Sequence, residues 1–233
     1  MLPEILLLIS AYLLGSIPYM LILGRARGVD LSHEEDLHMA VWSKVGRLEG
    51  LSGALVDVLK GVIPVLMGFA FDFPLAIVAF AGIAALIGQM WPVFVKFDGE
   101  KGNTTGIGIM FALTLTYNAY LILLSGAMIM IASACIRTVP RFIAHGQTLD
   151  ERLELGGPVS NSLPLGMAIG FAVMPLVSWA LKQPLEMTLA FAVMFILIIV
   201  RRLTADIRPD LKTATSSTRN ILINRLLYDR SYL

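Results

Sequence analysis

The sequence predicts an all-α integral membrane protein, with about seven transmembrane or partly spanning helices. Three observations carry this. Hydrophobic residues make up 57% of the 233-residue chain, and its mean hydropathy is +0.77. Charged residues make up only 15%, against about 25% in ordinary soluble domains. Several apolar runs approach or exceed the roughly 20 residues needed to cross a bilayer.

The elements follow in order, within a single polytopic domain, 1–233. Leu2 to Leu23 reads as the first span. It carries no basic region and no small-residue cleavage site, so it reads as a permanent span and not a cleaved signal. Its Gly15-Ser16-Ile17-Pro18 stretch predicts a bend, because proline removes a helix donor. Further spans are expected at 51–71 and 74–95. The span 51–71 carries Asp57 and Lys60 at i,i+3, on one helix face. An ionisable residue inside a span is a functional-site hypothesis by default, although the two also compensate each other. Residues 107–136 carry no charge. As one helix they would run about 45 Å, against a hydrocarbon core of about 30 Å. Thr116-Tyr117-Asn118 interrupts them, which predicts two short or broken segments, 107–117 and 119–136. The last spans are expected at 164–181 and 184–200.

Charge gives the sidedness. With two crossings in 107–136, the segments 25–50, 96–106, 137–163 and 201–233 share one side. All but two of the 18 lysines and arginines then lie there, the exceptions being Lys60 and Lys182. A single crossing would abolish that bias. The positive-inside rule therefore predicts three cytoplasmic loops, a cytoplasmic tail and an outside N-terminus. Thr148 and Glu151 have capping-box spacing, and a short surface helix with Leu149, Leu153 and Leu155 is expected after them. In the tail, Ile221 to Leu227 with interspersed arginines fits an interfacial helix.

The stretch from Trp91 to Gly106 concentrates the candidate chemistry. Its loop holds Gly99, Gly102 and Gly106, Lys96 and Lys101, and Thr104 and Thr105. Glycine lets backbone N–H groups turn toward a ligand. Successive N–H groups, a lysine and threonine hydroxyls suit an oxyanion such as phosphate. A helix starting near Thr104 would aim its positive end at the same point. The loop reads equally as a polar turn between spans, and its pattern is not a Walker P-loop. Cys135 is the one cysteine, which argues against a thiolate metal centre. His33, His38 and His145 lack zinc-ligand spacing. His38 reads as a surface histidine, Glu34-Glu35-Asp36 as a solvated acidic patch, and no metal site is expected. No basic patch interleaved with aromatics supports nucleic-acid binding.

Four motifs in order resemble the acyl-phosphate-dependent glycerol-3-phosphate acyltransferases, the PlsY family. They are Gly15-Ser16-Ile17-Pro18, Gly28-Val29-Asp30-Leu31, Asp57-Val58-Leu59-Lys60-Gly61 with Pro64, and Gly88 through Gly102. The resemblance covers roughly residues 5–110. It implies acyl transfer from acyl phosphate to the 1-hydroxyl of glycerol 3-phosphate, giving lysophosphatidic acid. It also implies a bacterial plasma-membrane location and no cofactor. On that reading Lys101 is the catalytic residue. Lys60, Lys96, Gly99, Gly102, Thr104, Thr105 and Asn220 form the substrate-binding set, Asn220 through the register Ser217-Thr218-Arg219-Asn220-Ile221. The chain departs from the family where a glycine- and serine-rich run gives way to Glu35 through Ser43. Gln89 replaces a histidine, and Glu100 replaces a glycine. Acids thus stand where an anion should be received. Two alternatives remain: a non-catalytic relative that binds a lipid or phosphate ligand, and a small transporter using Asp57 and Lys60.

Overall fold

In the computed structural model, residues 1–34, 36–143, 161–205, 207 and 217–229 are described. The expected surface helix after Thr148 lies outside the described residues. The described residues are helical, joined by turns and short loops, with no strand among them.

The first span is two helices, α1 (Leu2–Gly15) and α2 (Tyr19–Ala26), bent by 40° at the Ser16–Pro18 break. A short helix, α3 (Leu37–Ala40), follows, capped by Asp36 accepting from the Met39 N–H. It runs through a π-turn (Val41–Val45) into α4 (Arg47–Ala70). Then come α5 (Leu75–Met90), α6 (Asn103–Thr116), α7 (Tyr120–Ile143), α8 (Ser162–Ala180), α9 (Leu185–Thr204) and α10 (Thr218–Tyr228).

Three tight turns make antiparallel pairs: α4 with α5, α6 with α7, and α8 with α9. Each closes in the same way. Asp72, Asn118 and Lys182 adopt left-handed backbone at φ 54°, 55° and 55°. The N–H groups of Phe73, Ala119 and Gln183 then reach back to the Gly68, Thr114 and Ser178 carbonyls. These are Schellman caps, which satisfy carbonyls a helix end otherwise leaves orphaned. The loops that carry the candidate chemistry lie at the opposite ends of these pairs.

Five helices are long and apolar enough to cross a membrane, or six spans with the bent N-terminal pair. The seventh expected segment, α6, has 14 residues, about 21 Å at 1.5 Å per residue. It is therefore the partly spanning one. Outward-facing Leu55, Leu66, Leu124, Met128, Ile131, Leu176 and Ile196 are exposed, as a lipid-facing surface requires. The largest inward cluster among the described residues includes Val65, Leu86, Ile109, Met110, Phe171, Phe191 and Ile198, with smaller ones around Leu7 and Ala85 and around Met20 and Leu31.

Close approach of α4 and α6 positions the site. A Cβ on Gly61 would strike the Thr105 carbonyl, and one on Gly108 would strike the Val58 carbonyl. Small residues of this kind let membrane helices pack backbone to backbone. The tail helix departs from the expected interfacial role. Ile221 is 1% exposed and Arg225 is buried, and Arg225 donates to the Ala205 carbonyl. The interspersed arginine that suggested a lipid-facing stripe instead ties α10 to the end of α9.

Candidate active site

The site begins with local backbone. After α5 the chain turns through a 3₁₀ turn (Val93–Val95), and Lys96 and Phe97 take left-handed φ of 53° and 62°. The chain then folds back on the end of α5. The Gly99 N–H donates to the Met90 carbonyl at 3.2 Å, and the Glu100 N–H to the Gln89 carbonyl at 3.1 Å. Gly102, at φ 78°, starts α6, and no side chain caps that helix. Its first N–H groups have no partner within the helix. They carry the positive end of its dipole.

A cavity of about 900 Å³ opens beside this loop. Lys96, Gly99, Lys101, Gly102 and Thr104 line one part of it, and Ile17, Leu21 and Val95 give it an apolar wall. Asp36, His38, Glu100 and Asp229 also face it. It therefore combines cations, carboxylates, a helix start and apolar surface.

Beneath the cavity lies a buried polar floor. The Lys60 ammonium is 2% exposed and sits 2.8 Å from Asp57 Oδ1. It also donates to Gln89 Oε1 at 2.7 Å. The Thr105 hydroxyl donates to the Asp57 carbonyl at 3.0 Å. His38 Nε2 lies 3.4 Å from Asp57 Oδ2 and 3.2 Å from Glu100 Oε2. Burial disfavours the charge on His38, but hydrogen bonding to Asp57 and Glu100 outweighs this and raises its pKa to about 10. Glu100 is also pushed up, by burial and then by the Asp57 charge.

Around the rim, three ion pairs tie together distant parts of the chain. Lys101 donates to the Asp229 carbonyl at 2.7 Å and lies 3.3 Å from Asp229 Oδ1. Arg202 Nε stands 3.4 Å from the same oxygen. Arg201 donates to Asp98 at 2.7 Å and to the Gly99 carbonyl at 2.5 Å, and lies 5.9 Å over the Trp91 ring.

The structure brings Lys96, Gly99, Lys101, Gly102 and Thr104 to the cavity. Lys60 and Thr105 are packed below it, their polar groups already engaged. Asn220 needs correction: it is exposed on the first turn of α10 and does not line the cavity. Its N–H caps back to Ser217. His38 needs correction too, because α3 turns it inward to two carboxylates. Sequence reading missed Asp229 and Arg201, whose partners Lys101 and Asp98 lie more than a hundred residues away, and Arg202, whose partner Asp229 lies at the end of a different helix. It also missed that His38 and Glu100 meet. The available signal was that both lie where the family pattern is broken.

Fold and site together define a multi-pass helical membrane protein with a charged, partly apolar cavity at one end. The family model for glycerol-3-phosphate acyltransferase matches residues 5–147. The chain belongs to that family. It is 40% identical over 114 residues to the glycerol-3-phosphate acyltransferase of Geotalea daltonii, covering 48% of this chain and 59% of that protein. It is 41% identical over 116 residues to that of Geobacter metallireducens, covering 48% and 60%. The match thus spans under two thirds of these relatives' length. Its fold is similar to the crystal structure of PlsY, an integral membrane glycerol 3-phosphate acyltransferase, in its glycerol 3-phosphate form. The TM-score is 0.67 at 23% identity, over 90% of both chains. The lysophosphatidic acid form gives 0.65 at 23% identity, over 95% of this chain and 99% of that one.

Proposed function

We propose that the protein transfers an acyl group from acyl phosphate to glycerol 3-phosphate, producing lysophosphatidic acid and inorganic phosphate. The observation that carries this reading is the two-sided cavity. Lys96, Lys101 and the start of α6 supply an anion site beside an apolar wall of Ile17, Leu21 and Val95. That is the chemistry of an amphipathic acyl donor and an anionic acceptor. The family's named activity points the same way.

The donor is already activated, so no covalent enzyme intermediate is required. The acceptor hydroxyl attacks the acyl carbonyl, the carbonyl–phosphate bond breaks, and phosphate leaves carrying the proton that the hydroxyl gives up. Lys101 and the amides from Gly102 onward stabilise charge on the phosphate leaving group and the oxyanion. Lys96, Gly99 and Thr104 position the phosphates, which contributes by orientation. Lys60 and Thr105 act from below, by holding Asp57 and hence His38. The charged end faces the cytoplasm of a bacterial plasma membrane, in line with the positive-inside bias, and the N-terminus lies outside.

The test gives purified protein acyl phosphate and glycerol 3-phosphate and follows lysophosphatidic acid. Product formation supports transfer. Acyl-phosphate binding without turnover would point to a non-catalytic relative. Solute uptake into proteoliposomes, abolished by Asp57→Asn, would point to a transporter.

A further inference from the structure

Two of the places where the chain departs from its family's pattern meet in space. His38 belongs to the run that replaces the glycine- and serine-rich segment, and Glu100 stands in place of a glycine. Their side chains approach to 3.2 Å, and Asp57 completes a triangle with His38 at 3.4 Å. One donor atom from each of the three lies within 4.8 Å of the others. Ligand bonds of about 2.0–2.2 Å around a tetrahedral ion place neighbouring ligand atoms about 3.3–3.6 Å apart. The His38–Asp57 edge, 3.4 Å, falls in that range, and the His38–Glu100 edge, 3.2 Å, lies just below it.

From this convergence we propose that His38 Nε2, Asp57 Oδ2 and Glu100 Oε2 bind a divalent cation of the Zn²⁺ or Mn²⁺ class, open on its cavity side. One imidazole and two carboxylates suit such ions. Three protein ligands with a free position describe a site that takes an exogenous ligand. His38 and Glu100 both line the cavity, so the free position faces the lysine loop. Lys60 holds the other Asp57 oxygen at 2.8 Å. It orients the carboxylate from behind, as outer-shell partners do.

Charge explains what the ion would do. Asp57 and Glu100 together carry two negative charges, and Lys60 carries one positive. Protonated His38 brings the floor to neutral, and the imidazole gives up that proton when it takes a metal ion. A divalent ion turns it net positive. The cation would then bridge these three side chains to a substrate phosphate, in place of the missing glycine- and serine-rich run. This last role rests on the acyl-transfer reading; ion binding itself does not.

The experiment uses the tag-free, full-length protein in detergent, dialysed against Zn²⁺ or Mn²⁺ and then metal-free buffer, with bound metal measured by elemental analysis. One ion per chain is expected. Its affinity should fall at least about 10–100-fold in Glu100→Gln and in His38→Ala, and hold in His33→Ala. Retention in both ligand variants, or no retention in the wild type, overturns the proposal. Should the variants not fold, Mn²⁺ electron spin echo on the wild type decides. Coupling to one imidazole nitrogen supports the site, and none refutes it. Acyl transfer is not read at any point, so failure here leaves the enzyme reading standing.

Discussion

The floor and the rim of the cavity use the same residue types in opposite ways. At the floor, Lys60 and Asp57 are 2% and 1% exposed, and each has its partners within a few ångströms on packed helices. At the rim, Asp98 is 64% exposed, and Lys101 and Asp229, partly exposed at 22% and 19%, meet above a buried Arg202. A buried pair is held by the penalty of uncovering either charge. An exposed pair is screened and contributes little. The floor therefore fixes geometry, while the rim keeps cations that a substrate can recruit.

The sharpest way to break this contrast is Lys60→Met. Leaving Asp57 without its partner in the bundle should destabilise the protein by about 3–5 kcal/mol, seen as a lowered thermal midpoint in detergent. A midpoint close to wild type would show that water reaches the floor. Gly61→Ala should follow. The added methyl meets the Thr105 carbonyl, and overpacking of this kind costs about 1–3 kcal/mol. Because it separates α4 from α6, it should also reduce acyl transfer. At the rim, Asp98→Ala should change stability by about 1 kcal/mol or less, since Arg201 keeps its bond to the Gly99 carbonyl. A larger loss would place that pair with the floor. The smallest effect is expected for Asn220→Ala, which lies off the cavity and should leave turnover within a factor of two or so; a deeper loss would return it to the site.

The same contrast explains what could be read in the sequence. Asp57 and Lys60 are one helical turn apart, so their pairing follows from helix geometry alone. The bend at Pro18, the break at Thr116–Asn118 and a helix start near Thr104, observed at Asn103, were legible for the same reason, because each is a local backbone event. The rim was not legible. Lys101 with Asp229, and Arg201 with Asp98, join residues more than a hundred positions apart, and no periodicity records such a meeting. His38 was misread because a four-residue helix, α3, and a π-turn set its direction. Both are too short to leave a pattern. Arg225 misled for a related reason: a basic, half-apolar helix looks alike whether its arginine faces lipid headgroups or a helix-end carbonyl.

The account's central claim is that Lys101 acts on substrate while the floor beneath it holds the fold. The most direct measurement is lysophosphatidic acid formation by the purified wild type and Lys101→Ala, with thermal midpoints taken on the same samples. The account predicts product from the wild type, a loss of about 10²–10³-fold on removing the lysine, and midpoints that nearly coincide. Folded wild type that makes no product, or a Lys101→Ala variant that turns over undiminished, would contradict it.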